Sequence, residues 1–133
     1  MTWIAPIYDR KRSDIESLTS KAFFNASDRN RIEGNLEYLF AQYTTLTAKG
    51  TFKTDWTTSD IPYMRDTDRI FVNTKIINRH ISHYVLPTSI RPLTWWKLNA
   101  IEKCLQIAYD RITRMTVDSN YAGEFYSGEI GAF

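Results

Sequence analysis

The chain has 133 residues, 43% of them hydrophobic and 24% charged, the length and composition of one globular domain rather than of a disordered segment. A formal charge of +2, from 17 basic and 15 acidic residues, is far from the dense positive field that phosphate binding requires, and the lone cysteine, Cys104, excludes an internal disulfide framework and fits a reducing compartment. No apolar run approaches the ~18 to 20 residues of a membrane span, and the opening MTWIAPIYDRKR lacks the order of a signal peptide, so a soluble chain is expected.

In chain order, MTWIAPIYDRKR, residues 1–12, reads as an extended arm, because Pro6 opposes an early helix. Its basic run, DRKR from Asp9 to Arg12, reads as a solvated approach to a helix. SDIE from Ser13 is a capping box, and Ile15, Leu18 and Ala22 follow at helical spacing, which predicts a short first helix. Asn25 is placed as the next N-cap. Ile32, Leu36, Leu39, Tyr43 and Leu46 then form the apolar stripe of a packed helix. Gly34 interrupts that helix, where it would permit close approach of another backbone, and Gly50 is placed for its C-terminal cap.

Thr51 to Met64, rich in Thr, reads as an extended crossing segment with a short strand at Phe52 or Trp56. A second long helix is expected from about Asp66 to Val85, with Ile70, Thr74, Ile77, Ile81 and Tyr84 on one face, broken by the prolines of LPTSIRPL. Thr94 then caps a third helix, in which Leu98, Ile101, Leu105, Ala108, Ile112 and Met115 make the cleanest stripe in the chain. The expected fold is therefore all-α: a small bundle of three main helices plus a short N-terminal helix, with extended linkers and terminal arms. Residues 1–12 are the N-terminal arm, 13–118 the helical core and 119–133 a C-terminal docking tail.

Aligning the helices on Ile32, Ile70 and Ile101 exposes a weak internal repeat. Asp28, Arg31 and Asn35 fall on Asp66, Arg69 and Asn73, while the third copy has Lys97, Ala100 and Cys104 there. Asn30 falls on Asp68 and Asn99, Glu33 on Glu102, and Leu36 on Leu105. Steps of three and four bring each Asp, Arg and Asn along one side of a helix, and the Asn borders the buried stripe, where an amide persists only if hydrogen-bonded. These six residues are read as a structural hydrogen-bond lock between each helix and the extended segment before it, TSKAFF (Thr19–Phe24) for Asn35 and TTSDIPYM for Asn73. An active site is the other reading, disfavoured because a set repeated within one small domain, without nucleophile or metal cluster, lacks the parts for chemistry.

Other candidates are weaker. His80 and His83, three residues apart, could share a helix face and bind Zn, but no Glu or Cys stands at a helpful position beside them. Cys104 next to Leu105 reads as a small buried thiol. Phosphate loops, serine elbows and paired-carboxylate motifs do not occur, so no cofactor, metal or catalytic residue is assigned. The aromatic load, 4 Trp, 8 Tyr and 7 Phe, serves either a thin core or surfaces shared with partners. Trp3 and Ile4 of the arm and Tyr121, Phe125, Tyr126, Ile130 and Phe133 of the tail are the residues expected to dock on a partner.

The segments YDRKRSDIESL, FFNASDRNRIEGNLEYL, FKTDWTTSDIPYMRDTDRI, LPTSIRPLTWWKLNAIEKCL and GEFYSGEIGAF together resemble small structural proteins of the tail modules of phages and prophages of Gram-positive, clostridia-like bacteria. An Asp-Arg-Thr element, an Asn-Arg-Ile-Glu-x-Asn helix start and a Thr-Asp-Trp linker mark that group. Here Lys11 replaces the threonine after Asp9-Arg10, and the second helix carries Asp68-Arg69-Ile70-Phe71 where the fuller pattern has Asn and Glu. The resemblance implies a non-enzymatic virion component of the tail tip, baseplate or fibre attachment, assembled in the host cytoplasm through contacts with other tail proteins and copies of itself, without membrane or nucleic acid. The rival class is a small helical nucleic-acid-binding module using Arg10, Lys11, Arg12 and RPLTWW.

Overall fold

A computed structural model describes residues 3–13, 24–43 and 50–125, and of residues 116–125 the backbone. The architecture is helical. Helix α1 spans Ala26–Gln42, α2 spans Met64–Ile77 and runs on into a π-helical turn at Asn78–Ser82, and α3 spans Trp95–Phe125. The predicted helix after Ser13 lies outside the described residues.

Each helix buries most of its predicted stripe, with Tyr43 of the first half-buried and Leu46 outside the described residues. Ile32, Leu36 and Leu39 of α1 meet Ile70, Phe71 and Ile77 of α2 and Leu98, Ile101, Leu105 and Ala108 of α3 in one cluster, completed by Ile81 and Ile90. Asn25 caps α1 reciprocally with Asp28: its Oδ1 accepts from the Asp28 amide at 3.0 Å, and Asp28 Oδ2 accepts from the Asn25 amide at 3.2 Å. The helix ends at Gln42, where the Tyr43 amide closes on Leu39, so Gly50 is not its cap. Gly50 instead packs against the Phe52 ring, where an added Cβ would lie 2.6 Å from Cζ.

The second helix stops short of the expected Val85. Its π turn closes with the His83 amide on Asn78 O at 2.8 Å, and His83 adopts the left-handed conformation, φ 50°, that turns the chain away. Tyr84 is therefore exposed rather than on the buried face. At α3, the Thr94 hydroxyl makes no capping bond. The helix outruns its own stripe: Ile112 is half-buried, Met115 is exposed, and the backbone stays helical to Phe125, so residues 119–125 are not an extended tail.

The helices are parallel, a consequence of how the extended segments return. From Ile4 to Arg10 the N-terminal arm passes Asn35, then Glu102, then Asn99, and Arg10 ends beside Asp28, so it runs antiparallel to both α1 and α3. From Thr51 to Trp56 the crossing segment passes Asn73, Glu33 and Asn30, antiparallel to α2 and α1. The third connection returns from Tyr84, held by Asn78, to Arg91, paired with Asp68, along α2. Each helix is thus preceded by an extended segment lying in a groove of the bundle. The short strand expected at Phe52 or Trp56 does not form: among the described residues no strand occurs, because these segments pair with helix side chains instead of with backbone.

Gly34 does not serve a close approach, since a Cβ there would meet no atom within 4 Å. In a helix interior glycine costs about 1 kcal/mol relative to alanine. Gly34→Ala should accordingly raise stability by about 0.5–1 kcal/mol in urea denaturation, with the helical circular dichroism unchanged.

Candidate functional site

The residues of the repeat converge on two buried carboxylates, Glu102 on α3 and Glu33 on α1, each 0% exposed. Glu102 Oε1 accepts from the Ile7 amide at 3.1 Å and from Arg31 Nε at 2.7 Å. Its Oε2 accepts from Arg31 Nη2 at 2.9 Å and Arg10 Nη2 at 2.7 Å. Glu33 repeats this atom for atom: Oε1 takes the Lys53 amide at 3.1 Å and Arg69 Nε at 2.9 Å, and Oε2 takes Arg69 Nη2 and Trp56 Nε1, at 2.8 and 2.7 Å. A carboxylate has about four lone-pair sites, and here all are filled.

Asp28 and Asp66 explain why the pattern is Asp-x-x-Arg. Asp28 Oδ2 caps α1 while its Oδ1 accepts from Arg31 Nη2 at 2.6 Å, and Asp66 Oδ2 accepts from the Tyr63 amide at 2.8 Å while Oδ1 takes Arg69 Nη1 at 2.7 Å. One carboxylate thus starts the helix and aims the arginine. Burial works to raise the Asp66 pKa, but the Tyr63 amide and Arg69 outweigh it and hold it below the usual carboxylate value. Burial likewise works to lower Arg31, and Glu102 and Asp28 together drive it above the usual guanidinium value. Arg69 is raised chiefly by its hydrogen bond to Glu33.

The asparagines grip backbone. Asn35, 1% exposed, accepts from the Ile4 amide at 3.0 Å and donates to Ile4 O at 2.7 Å. Asn99 does the same to Arg10, at 3.2 and 2.9 Å, and Asn30 to Trp56, at 2.7 and 2.9 Å. Asn78 does so to Tyr84, at 2.7 and 2.9 Å. Each carboxamide thus offers one residue the donor and acceptor that a neighbouring strand would offer, and flipping it would set donor against donor. Asn73 makes half of such a clip, donating to Thr51 O at 3.0 Å.

All six predicted lock residues are therefore hydrogen-bonded, but neither asparagine meets its expected partner: Asn35 holds Ile4 of the N-terminal arm rather than Thr19–Phe24, of which 19–23 lie outside the described residues, and Asn73 reaches Thr51, upstream of TTSDIPYM. Sequence reasoning aligned Glu33 with Glu102 and Asn30 with Asn99 without assigning them to the lock, and it missed Asn78. Arg10 was misplaced outright. Its side chain is 0% exposed and paired with Glu102, not part of a solvated run, a role hidden because its partner lies far along the chain.

Trp56 stands where Arg10 stands in the other copy. A ring N–H replaces the guanidinium, and cations return on its faces, with Arg29 Cζ 4.7 Å and Lys53 Nζ 4.9 Å from the ring centroid. Trp3, expected to dock on a partner, instead stacks on Tyr109 at 4.3 Å and lies tilted against Tyr38, anchoring the arm within the chain. Ile4 remains 52% exposed. Tyr121 and Phe125 lie on the C-terminal part of α3, and Tyr126, Ile130 and Phe133 lie outside the described residues.

His80 lies in the π turn and His83 beyond it, both exposed, and among the described residues no group of three or more His, Cys, Asp or Glu converges as a metal site. Burial pushes the Cys104 thiol up to about 11, against a weaker opposing hydrogen bond with Ser82. No described helix is long and apolar enough to cross a membrane. Comparison with family models, with curated proteins and with solved structures finds no match.

Breaking a clip should have a local signature. Asn35→Leu leaves the Ile4 amide and carbonyl to find water at the edge of the core, a loss of about 1–3 kcal/mol in chemical denaturation. The arm should then be cut by trypsin after Arg10 faster than in the parent chain. Unchanged stability and unchanged cleavage would mean that the clip does not hold the arm.

Proposed function

We propose that this chain is a non-enzymatic structural component of a phage virion, at the tail tip, baseplate or fibre attachment, which is assembled in the host cytoplasm by contacts with other tail proteins and with copies of itself. The observation that carries this reading is the complete occupation of the two buried carboxylates, Glu33 and Glu102. Glu33 and Glu102 each accept four hydrogen bonds, from an arginine of a neighbouring helix and from an extended segment, so the most chemical-looking cluster of the chain fixes backbone geometry. Catalysis would need a group held ready for substrate.

The shape supports the same reading. At ~1.5 Å per residue, α3 with 31 residues runs about 46 Å, against about 26 and 21 Å for α1 and α2 with 17 and 14. A long helix projecting from a locked body suits a part that is gripped by neighbours. Large apolar side chains also stand in solvent around the start of α2, where Ile61 is 72%, Met64 59% and Tyr63 58% exposed. The nucleic-acid alternative loses its central residue, since Arg10 is enclosed with Glu102 and Arg91 is paired with Asp68.

Deleting Tyr121 to Phe133 tests the assignment. The truncated chain should keep its helical spectrum and cooperative unfolding yet fail to enter particles when it replaces the full chain in an assembling phage. Undiminished incorporation would overturn the docking role of the C-terminal segment. A chain absent from purified particles altogether would overturn the virion reading.

A further inference from the structure

Where the N-terminal arm and the segment after α2 both cross α3, they leave a cleft of about 500 Å³ open to solvent. Its floor is Ala100, and its walls are Tyr8 from the arm, Tyr84 and Val85 from the segment after α2, and Trp96 one turn before Ala100. Val85 is 87% and Trp96 49% exposed, so the walls are large apolar groups standing in water beside a small floor residue. Lys103 closes one end, its Nζ 4.7 Å from the Tyr8 ring centroid. Such a cleft, of the size of a ligand pocket, suits an extended segment of apolar side chains carrying an acid.

Residues 126–133, YSGEIGAF, have that chemistry: Ile130 and Phe133 are apolar, Glu129 is acidic, the glycines allow close approach to the floor, and the segment holds no Lys or Arg. The helix rules out delivery from the same chain. From Lys103 to the end of α3 at Phe125 is about 33 Å at ~1.5 Å per residue, and Ala100 lies farther still. Eight residues span at most about 29 Å when fully extended, so 126–133 cannot return to cover Ala100 of their own chain.

We infer that the cleft over Ala100 binds residues 126–133 of a second copy of this chain, with Glu129 against Lys103. This rests on the reading of the chain as a self-associating structural component and names its contact. Donor and acceptor surfaces differ and lie at opposite ends of α3, so the contact is head-to-tail: repeated, it forms a ring if the rotation closes and a filament if it does not.

Two full-length variants test it by sedimentation velocity. Ala100→Phe fills the cleft but leaves the tail intact; Ile130→Asp spoils the tail but leaves the cleft intact. The parent chain should self-associate, and each variant alone should weaken association by at least about tenfold. An equimolar mixture should form a one-to-one dimer, because each supplies the half that the other lacks. Lys103→Glu should weaken association, and adding Glu129→Lys to the same chain should restore it. Helical spectra like the parent's separate these effects from misfolding. If Ile130→Asp abolishes association but Ala100→Phe does not, the cleft is overturned while tail-driven assembly stands. A parent chain that stays monomeric at high concentration yet enters particles overturns self-docking and leaves the virion role intact.

Discussion

A carboxylate enclosed in a helical bundle persists only if every lone pair is answered, and Glu33 and Glu102 impose that condition on everything around them. Each is answered by a bidentate arginine from a neighbouring helix, an amide from an extended segment and a side-chain N–H from the same segment. Removing one partner of such a buried pair typically costs about 3–5 kcal/mol, although the intact pair contributes little net stability over apolar packing. The consequence is specificity: a slip of arm or helix by one residue would strand a charge. The parallel helices, the extended returns and the absence of strands among the described residues all follow from that demand.

Side chains here do the work of a sheet. The grooves between parallel helices expose no backbone donors, because those are used within the helices, so an extended segment in a groove must find side-chain partners. Asparagine supplies a donor and an acceptor on one short rigid fork, and Asn30, Asn35, Asn78 and Asn99 each serve one residue completely. The third junction departs from the pattern. Its repeat positions carry Asp68 and Cys104, and it is closed by the Asp68 pair with Arg91, by Ser82 on Cys104 O and by Arg111 on the end of the π turn.

The helical class and the buried stripes were legible in the sequence because spacing alone encodes them: Ile32, Leu36, Leu39, Ile101 and Leu105 are all at 0–1% exposure. The repeat was legible too, since Asp28, Arg31 and Asn35 recur as Asp66, Arg69 and Asn73. Their partners were not. Arg10 and Glu102 lie 92 residues apart, Arg31 and Glu102 71, and spacing carries no information about pairs at that range. Gly34 looked like a contact point because a helical glycine needs a reason, yet it faces open space. The end of α2 was misjudged because the π turn, with its left-handed His83, has no signature in NRHISHY.

Native-state hydrogen exchange measures, residue by residue, whether side-chain clips hold the extended segments as firmly as the helices are held. The amides of Ile4, Ile7, Arg10, Lys53 and Trp56 should be protected and should exchange together with the core of α1, at the free energy of global unfolding. Exchange of these five amides at unfolded-chain rates, while the α1 core stays protected, would contradict the account.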